Sequence, residues 1–222
     1  MGSVVFIGAG PGAADLITVR GKRGFADSTG QATINALLVR HAREASLVVR
    51  LKGGDPSVFG RLEEELEALA QAGIACEVIP GVTAALAAAA HTRRPLTRRG
   101  HGRSVSLTTA MTRDGALRGG HSADTEVFYM AGRQLAALSR RLLDAGWPAD
   151  TPVCVVSRAG WPDALHSSHP LASLGQATVL HAGRPAVVTV GAGARALAAV
   201  SFQGPESPDL EAGQEQEETL RP

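Results

Sequence analysis

A chain of 222 residues with 44% hydrophobic and 19% charged residues can bury a sizeable core, as one large domain or two small ones. Those proportions exclude a low-complexity or fibrous chain, and no run of 18 apolar residues predicts a membrane span. The formal charge of +1 hides an asymmetry: residues 203–222 hold six acidic groups against one basic, which leaves residues 1–202 at a net +6. A positive body suits an anionic ligand and ordinary solubility alike.

Residues 3–7 (Ser-Val-Val-Phe-Ile) read as a strand buried on both faces. Gly8-Ala9-Gly10-Pro11-Gly12 follows, and Asp15-Leu16-Ile17-Thr18-Val19 reads as a helix start. A dinucleotide fingerprint needs G-x-G-x-x-G running into a helix. Here Pro11 removes one of the N–H groups a pyrophosphate would want, so the turn is expected to line some other ligand. The stretch 20–30 is too short and polar for the helix end and second strand that a parallel α/β unit requires. Residues 31–44 are helical by period, with Ile34, Leu37, Leu38 and Ala42 on one face. Residues 47–51 form the next strand, a parallel neighbour of the first.

The stretch from Val48 to Arg61 is the centre of the chain. Val48, Val49 and Leu51 lead into Gly53-Gly54-Asp55-Pro56, and helical spacing resumes with Leu62, Leu66 and Leu69. Strand, glycine turn and helix is where α/β proteins hold ligands, although the same pattern also suits a plain turn. Gly73 ends that helix, 74–79 is a strand, and Pro80-Gly81-Val82-Thr83 opens an alanine-rich helix over 84–90. Thr83 reads as its N-cap, or as a hydroxyl turned to a ligand.

Arg93, Arg94, Arg98, Arg99 and Arg103 then fall within eleven residues. They form either a solvated linker, with the domain boundary near 97–103, or a binding surface for phosphate or carboxylates. Strands are expected at 105–109, 127–130 and 152–156, and a helix at 133–145. The stretch 157–175 reads as irregular, 177–180 and 187–190 as a late hairpin, and a short helix follows Gly193. His166 and His169 have no Cys or carboxylate cluster beside them, so no metal is expected. Cys76 and Cys154 sit in apolar runs and read as reduced core residues. With no signal segment at the start, the expected location is cytoplasmic. Residues 203–222 read as a disordered acidic tail.

Several of these stretches match one family. Gly8-Ala9-Gly10-Pro11-Gly12, Gly21-Lys22-Arg23, Val49-Arg50-Leu51-Lys52-Gly53-Gly54-Asp55-Pro56, Phe59-Gly60-Arg61, Pro80-Gly81-Val82-Thr83-Ala84, Pro95-Leu96-Thr97 and Val127-Phe128-Tyr129-Met130, in this order, resemble the uroporphyrinogen-III C-methyltransferases of the tetrapyrrole (precorrin) methylase family. The resemblance covers roughly residues 2–200. It implies an α/β protein with the two-lobed tetrapyrrole methylase-like fold, lobes at 1–98 and 104–202, and a homodimer. It also implies methyl transfer from S-adenosyl-L-methionine to ring carbons of uroporphyrinogen III, giving precorrin-2 for sirohaem and cobalamin.

Carried over by motif, the cofactor contacts are Pro11, Gly53, Gly54, Asp55, Val58, Thr83, Ala84, Met130 and Ala159, and Lys22 matches the residue assigned as proton donor. A sulfonium with an amino acid and an adenosine needs backbone groups, a few hydroxyl acceptors and apolar padding, which these residue types supply. The arginine segment would suit a macrocycle edged with carboxylates. Neither nucleic acid nor membrane is an expected partner, since no aromatics interleave the arginines to stack bases.

One departure stands out. The resemblance implies about thirty more residues after the first helix start: the rest of that helix, a strand ending in a Tyr-Asp-x-Leu-Val motif whose aspartate is regarded as the proton acceptor, and a further helix up to the Gly-Lys-Arg triplet. Here Val19-Arg20 runs straight into Gly21-Lys22-Arg23, so the N-terminal lobe is expected to be truncated, with Asp27 the nearest downstream carboxylate. Two alternatives therefore stay open: a non-catalytic SAM-binding paralogue, and a methylase for a later precorrin.

Overall fold

The computed structural model describes residues 2–10, 29–110 and 119–197. Pro11, Lys22 and Asp27, the helix expected from Asp15, and the acidic tail lie outside the described residues. Two sheets make the framework. The first is parallel, in the order β2-β1-β3, from β1 (Ser3–Gly8), β2 (Leu47–Lys52) and β3 (Cys76–Ile79). Strand β1 therefore pairs with 47–52 as expected, and α1 (Gln31–Glu44) lies between them in sequence.

Among the described residues, one face of this sheet is closely packed and the other is more open. Val4, Phe6 and Val48 meet Ile34, Leu38 and Ala42 of α1 and Leu62, Leu66 and Leu69 of α2 (Leu62–Gln71) in one core. The opposite face presents Val5, Ile7, Leu51 and Ile79, with Leu47 and Val49 more than half exposed. The expectation that residues 3–7 are buried on both sides is corrected: Val4 and Phe6 are sealed, whereas Val5 and Ile7 are half-buried. Cys76, expected in the core, stands exposed because β3 is an edge strand with every residue open to solvent. Helix α2 ends as its sequence demands, with Gly73 at φ +68 and Ile74 N–H returning to the Leu69 carbonyl at 3.0 Å.

The second sheet is mixed, in the order β4-β5-β8-β6-β7. Its strands are β4 (Val105–Thr109), β5 (Thr125–Tyr129), β6 (Pro152–Ser157), β7 (Leu165–Pro170) and β8 (Ala186–Gly191). Every residue of β5 and β8 is buried, because both faces are covered. On one face Phe128, Val153, Val155, Val188 and Val190 pack on Leu135, Leu138 and Leu142 of α4 (Leu135–Asp144), and on Leu171 and Leu174. On the other, Val127, Tyr129, Cys154, Val156 and Val187 receive Ala85 and Ala88 of α3 (Ala84–Thr92). The alanines allow α3 to lie close against this sheet, and they join the first half of the chain to the second.

Two readings of the C-terminal half are overturned. The stretch expected to be irregular holds β7 and a 3₁₀ run, Leu171–Gln176. Polar His166, Ser167, Ser168 and His169 hide a strand at the edge of the sheet, where solvent satisfies one side. The expected late hairpin does not exist: Ala177–Leu180 is a short helix, α5, and β8 sits centrally between β5 and β6.

Candidate functional site

The parallel strands of the first sheet end together, and three glycine turns meet there. After β1, Ala9 N–H donates to the Lys52 carbonyl at 2.9 Å, and Gly54 N–H donates to the Gly10 carbonyl at 3.0 Å. Gly8, Gly54 and Gly81 touch through their backbones. A Cβ on Gly8 would lie 2.5 Å from the Gly81 backbone, and one on Gly81 would lie 2.4 Å from the Gly54 carbonyl oxygen. No side chain fits at either position, so glycine is required by close approach. Gly10 and Gly53 differ: among the described residues, a Cβ on either meets nothing within 4 Å. Their open sides form a backbone-lined edge at the carboxyl ends of a parallel sheet, the usual ligand position in such folds.

Asp55 holds this corner closed. One carboxylate oxygen accepts from the Ser57 N–H at 2.8 Å and from the Ser57 hydroxyl, and the other accepts from Gly81 N–H at 2.9 Å. The Ser57 hydroxyl and then the Gly81 amide hold its carboxyl below the usual carboxylate value. The Asp55 side chain thus ties the β2 turn to the β3 turn.

Behind the turn lies a buried ion cluster that sequence reasoning missed. Lys52 Nζ reaches Glu65 Oε2 at 2.8 Å, Arg50 reaches Oε1 at 3.1 Å, and Gln31 donates to Oε1 at 3.1 Å. Burial works to raise the Glu65 pKa, but hydrogen bonds from Lys52 and Arg50 outweigh it and hold the carboxyl below its ordinary value. Burial first, then the charges of Arg50 and Arg61, push Lys52 below its own. The signal was present in the sequence: Glu65 falls on the same helical face as Leu62 and Leu69, a charge at a core position.

The second sheet reaches the corner through Tyr129. Its hydroxyl lies 2.8 Å from Thr83 Oγ1 and accepts from Ala85 N–H at 3.3 Å. Thr83 stands at the N-cap position of α3 as expected, with extended backbone, but makes no side-chain cap bond; the Tyr129 hydroxyl accepts from the first turn of the helix instead. Phe59, at φ +51, packs its ring 4.8 Å from that of Tyr129. Val58 and Ala84 join Tyr129 and Ala159 in one apolar cluster. Met130 follows Tyr129 at φ +58 with half its surface exposed. Of the motif-derived set, Gly54, Asp55, Val58, Thr83, Ala84 and Ala159 thus come together at the seam between the two sheets, and Gly53 and Met130 adjoin it in the chain, next to Gly54 and Tyr129.

The arginines lie elsewhere. Arg94 donates to the Ala194 carbonyl at 3.0 Å, and Arg98 donates to the Arg195 carbonyl. The Leu96 carbonyl accepts from the Thr125 hydroxyl at 2.9 Å, at the first residue of β5, whereas Met130 follows its last. Five strand residues span about 17 Å, so this segment sits at the far end of the second sheet from the glycine corner. A separate groove of about 530 Å³ between α1 and α2, lined by Asn35, Arg40, Arg43 and Glu44 among others, shares no lining residue with the corner.

Comparison with known proteins bears on this arrangement. The family model for tetrapyrrole (corrin/porphyrin) methylases matches residues 24–175. The uroporphyrinogen-III C-methyltransferase of Pseudomonas aeruginosa is 38% identical over 195 positions, covering 71% of this chain and 80% of its own. Those 195 positions exceed the share of this chain they cover, so the relative carries residues with no counterpart here. A sirohaem synthase of Edwardsiella ictaluri is 42% identical over 193 positions, covering 70% of this chain. The chain spans about two fifths, 42%, of that protein's length. Among solved structures, the uroporphyrin-III C-methyltransferase of Thermus thermophilus complexed with S-adenyl homocysteine superposes with a TM-score of 0.72 at 31% identity, over 86% of this chain and 97% of the other.

Proposed function

Because the chain belongs to the tetrapyrrole (corrin/porphyrin) methylases, we propose that it is an S-adenosyl-L-methionine-dependent C-methyltransferase converting uroporphyrinogen III to precorrin-2. The observation that carries this reading is the meeting of three glycine turns, Gly8–Gly10, Gly53–Asp55 and Gly81–Thr83, at the strand ends, beside the cluster of Val58, Ala84, Tyr129 and Ala159. The corner fits the cofactor's chemistry. Gly10 and Gly53 offer open backbone, while Val58, Ala84, Met130 and Ala159 offer apolar padding for an adenosine and a sulfonium. Bound there, S-adenosyl-L-methionine would supply the electrophilic methyl group.

The chain's own share is to bind and orient. Asp55 and the Glu65 cluster fix the β2 turn, Tyr129 and Thr83 fix the two sheets, and most of the rate advantage then comes from alignment of the reactants. Lys22 is assigned as proton donor by motif. The lobes run over 1–98 and 104–202, the protein acts as a homodimer, and it works in the cytoplasm on a free tetrapyrrole.

One observation favours a second reading. Among the described residues the first sheet has three strands, and the aspartate that the family resemblance implies has no matching motif in the sequence, which suits a paralogue that binds the cofactor without turnover. Incubating the protein with uroporphyrinogen III and methyl-labelled S-adenosyl-L-methionine tests both. Label in a dimethylated product supports the methylase. Calorimetric binding of the cofactor with no label transferred supports the paralogue, and absence of both overturns the site. Label appearing only with a later precorrin would move the substrate and keep the chemistry.

A further inference from the structure

The methylase reading leaves unused a polar chain that leads to one edge of the proposed site. Strand β6 ends at Ser157, and the loop 158–164 follows it. Arg158 and Gly160 take positive φ, +53 and +85, and Ala159 between them is buried in the cluster with Val58, Ala84 and Tyr129. Within the loop, Arg158 Nε lies 2.9 Å from Asp163 Oδ1, and its guanidinium stands 4.4 Å over the Trp161 ring. Arg184, from the turn before β8, grips the loop from outside. It donates to the Asp163 carbonyl and, at 3.2 Å, to the Asp163 carboxylate. Asp163 is half-exposed, so this grip is only as good as the aim of Arg184.

Two fully buried groups, Ser157 and His181, set that aim. Arg184 Nε donates to Ser157 Oγ at 3.1 Å, and Ser157 Oγ lies 2.9 Å from His181 Nδ1. A guanidinium only donates, so Ser157 accepts from Arg184, and among the described residues its hydrogen has His181 Nδ1 as the remaining partner. His181 Nε2 then carries the ring hydrogen and donates to Ser167 Oγ at 2.9 Å, which donates in turn to His169 Nε2 at 2.8 Å. This one direction satisfies every hydroxyl hydrogen in the chain. A proton added to His181 breaks it: Nδ1–H and Arg184 then both donate to Ser157, whose own hydrogen is stranded, and two cations share one buried hydroxyl. The ionisable groups acting on the ring are His166 and His169 from β7 and Arg184, whereas the 3₁₀ run and α5 beside it carry none. Burial, then the charges of His169, Arg184 and His166, hold His181 below its ordinary pKa, so the aimed arrangement is the one present at neutral pH.

We propose that His181 is a positioning residue for the cofactor site: by way of Ser157 it orients Arg184, which holds Asp163 and so fixes the loop that presents Ala159. The proposal rests on the methylase reading for what Ala159 touches, and on the polar chain alone for how the loop is held.

The test compares H181N, whose amide oxygen can still accept from Ser157 but cannot ionise, with H181L, which offers no acceptor. S157A cuts the same link by removing one hydroxyl, and decides the matter if H181L does not fold. In ¹H–¹⁵N spectra of the cofactor-free chain at neutral pH, the Trp161 indole and Arg184 Nε–H signals should move in H181L and S157A and stay close to the parent's in H181N. On acidification to about pH 5 the parent's signals should move toward those of S157A, while those of H181N should not respond. Calorimetry with S-adenosyl-L-homocysteine should show about tenfold weaker binding to H181L and S157A, and affinity regained in H181N. Trp161 signals that coincide in all four chains would overturn the proposal. So would a pH response that H181N shares, since His166 and His169 remain in it. A fall in the urea midpoint of H181L and S157A with cofactor affinity unmoved would leave the chain a structural role alone, and overturns it too. A parent chain that binds no S-adenosyl-L-homocysteine yet shows the full Trp161 pattern would refute the cofactor site and support the hold of His181 on the loop.

Discussion

Gly53 and Gly81 stand in the same corner yet do different work, and alanine separates them. A Cβ on Gly81 would meet the Gly54 carbonyl oxygen at 2.4 Å and the Gly8 Cα at 2.6 Å, both backbone atoms with no rotamer to yield. G81A should therefore cost about 3 kcal/mol of stability by overpacking, read as a fall in the urea midpoint. A Cβ on Gly53 meets nothing within 4 Å among the described residues. G53A should leave the urea midpoint unchanged and weaken cofactor binding by about tenfold or more, since one methyl then stands in the proposed site. Equal cofactor affinity in G53A and the parent chain would remove Gly53 from the site. Tyr129 offers a second test at this scale. Y129F strips the partner from buried Thr83 and should cost about 1–2 kcal/mol. T83V paired with Y129F should show a coupling energy of about 1 kcal/mol in a double-mutant cycle.

Among the elements, the β6–β7 ladder carries a buried polar chain that sets a pH limit. His181 is fully buried, with Nδ1 2.9 Å from Ser157 Oγ and Nε2 2.9 Å from Ser167 Oγ. Ser167 also meets His169, and Arg184 donates to Ser157 at 3.1 Å. Burial, then the charges of His169, Arg184 and His166, depress the His181 pKa below its ordinary 6.5. The folded state thus prefers the neutral ring. That stability is complete above pH 6.5 and is lost as pH falls from there toward the lower folded value. Thermal midpoints taken between pH 8 and pH 5 should fall more steeply in the parent chain than in H181N.

The same elements show what the sequence could and could not reveal. Helix periods in α1 and α2, Gly73 as a stop and the apolar run of β6 were legible because each signal is local. Strand β7 was not, since an edge strand can be polar on both sides. Strand β8 was misplaced because its partners, β5 and β6, are distant in sequence and no local pattern encodes strand order. At the site, the glycine contacts and the Asp55 clamp lie inside the motifs, so their residues were legible. The Tyr129 cap and the Glu65 cluster depend on which elements pack together, and only a charge at a core helical position hinted at the second.

For the molecule as a whole, the two sheets are finished to different degrees. The second is covered on both faces, with β5 and β8 wholly buried. The first is parallel, a type ordinarily covered on both sides, yet among the described residues Leu47 and Val49 stay 54% and 51% exposed on its open face. That face adjoins the strand whose end carries Gly53 and Gly54, so its state in solution bears on the site. The geometry predicts that the chain binds a hydrophobic dye such as anilinonaphthalene sulfonate, and that L47K/V49K binds much less of it. Because both side chains are more than half exposed among the described residues, the urea midpoint should shift by no more than about 0.5 kcal/mol per substitution. A loss of several kcal/mol would instead mean that the face is packed in solution, since a lysine ammonium buried there has no partner to offset its desolvation.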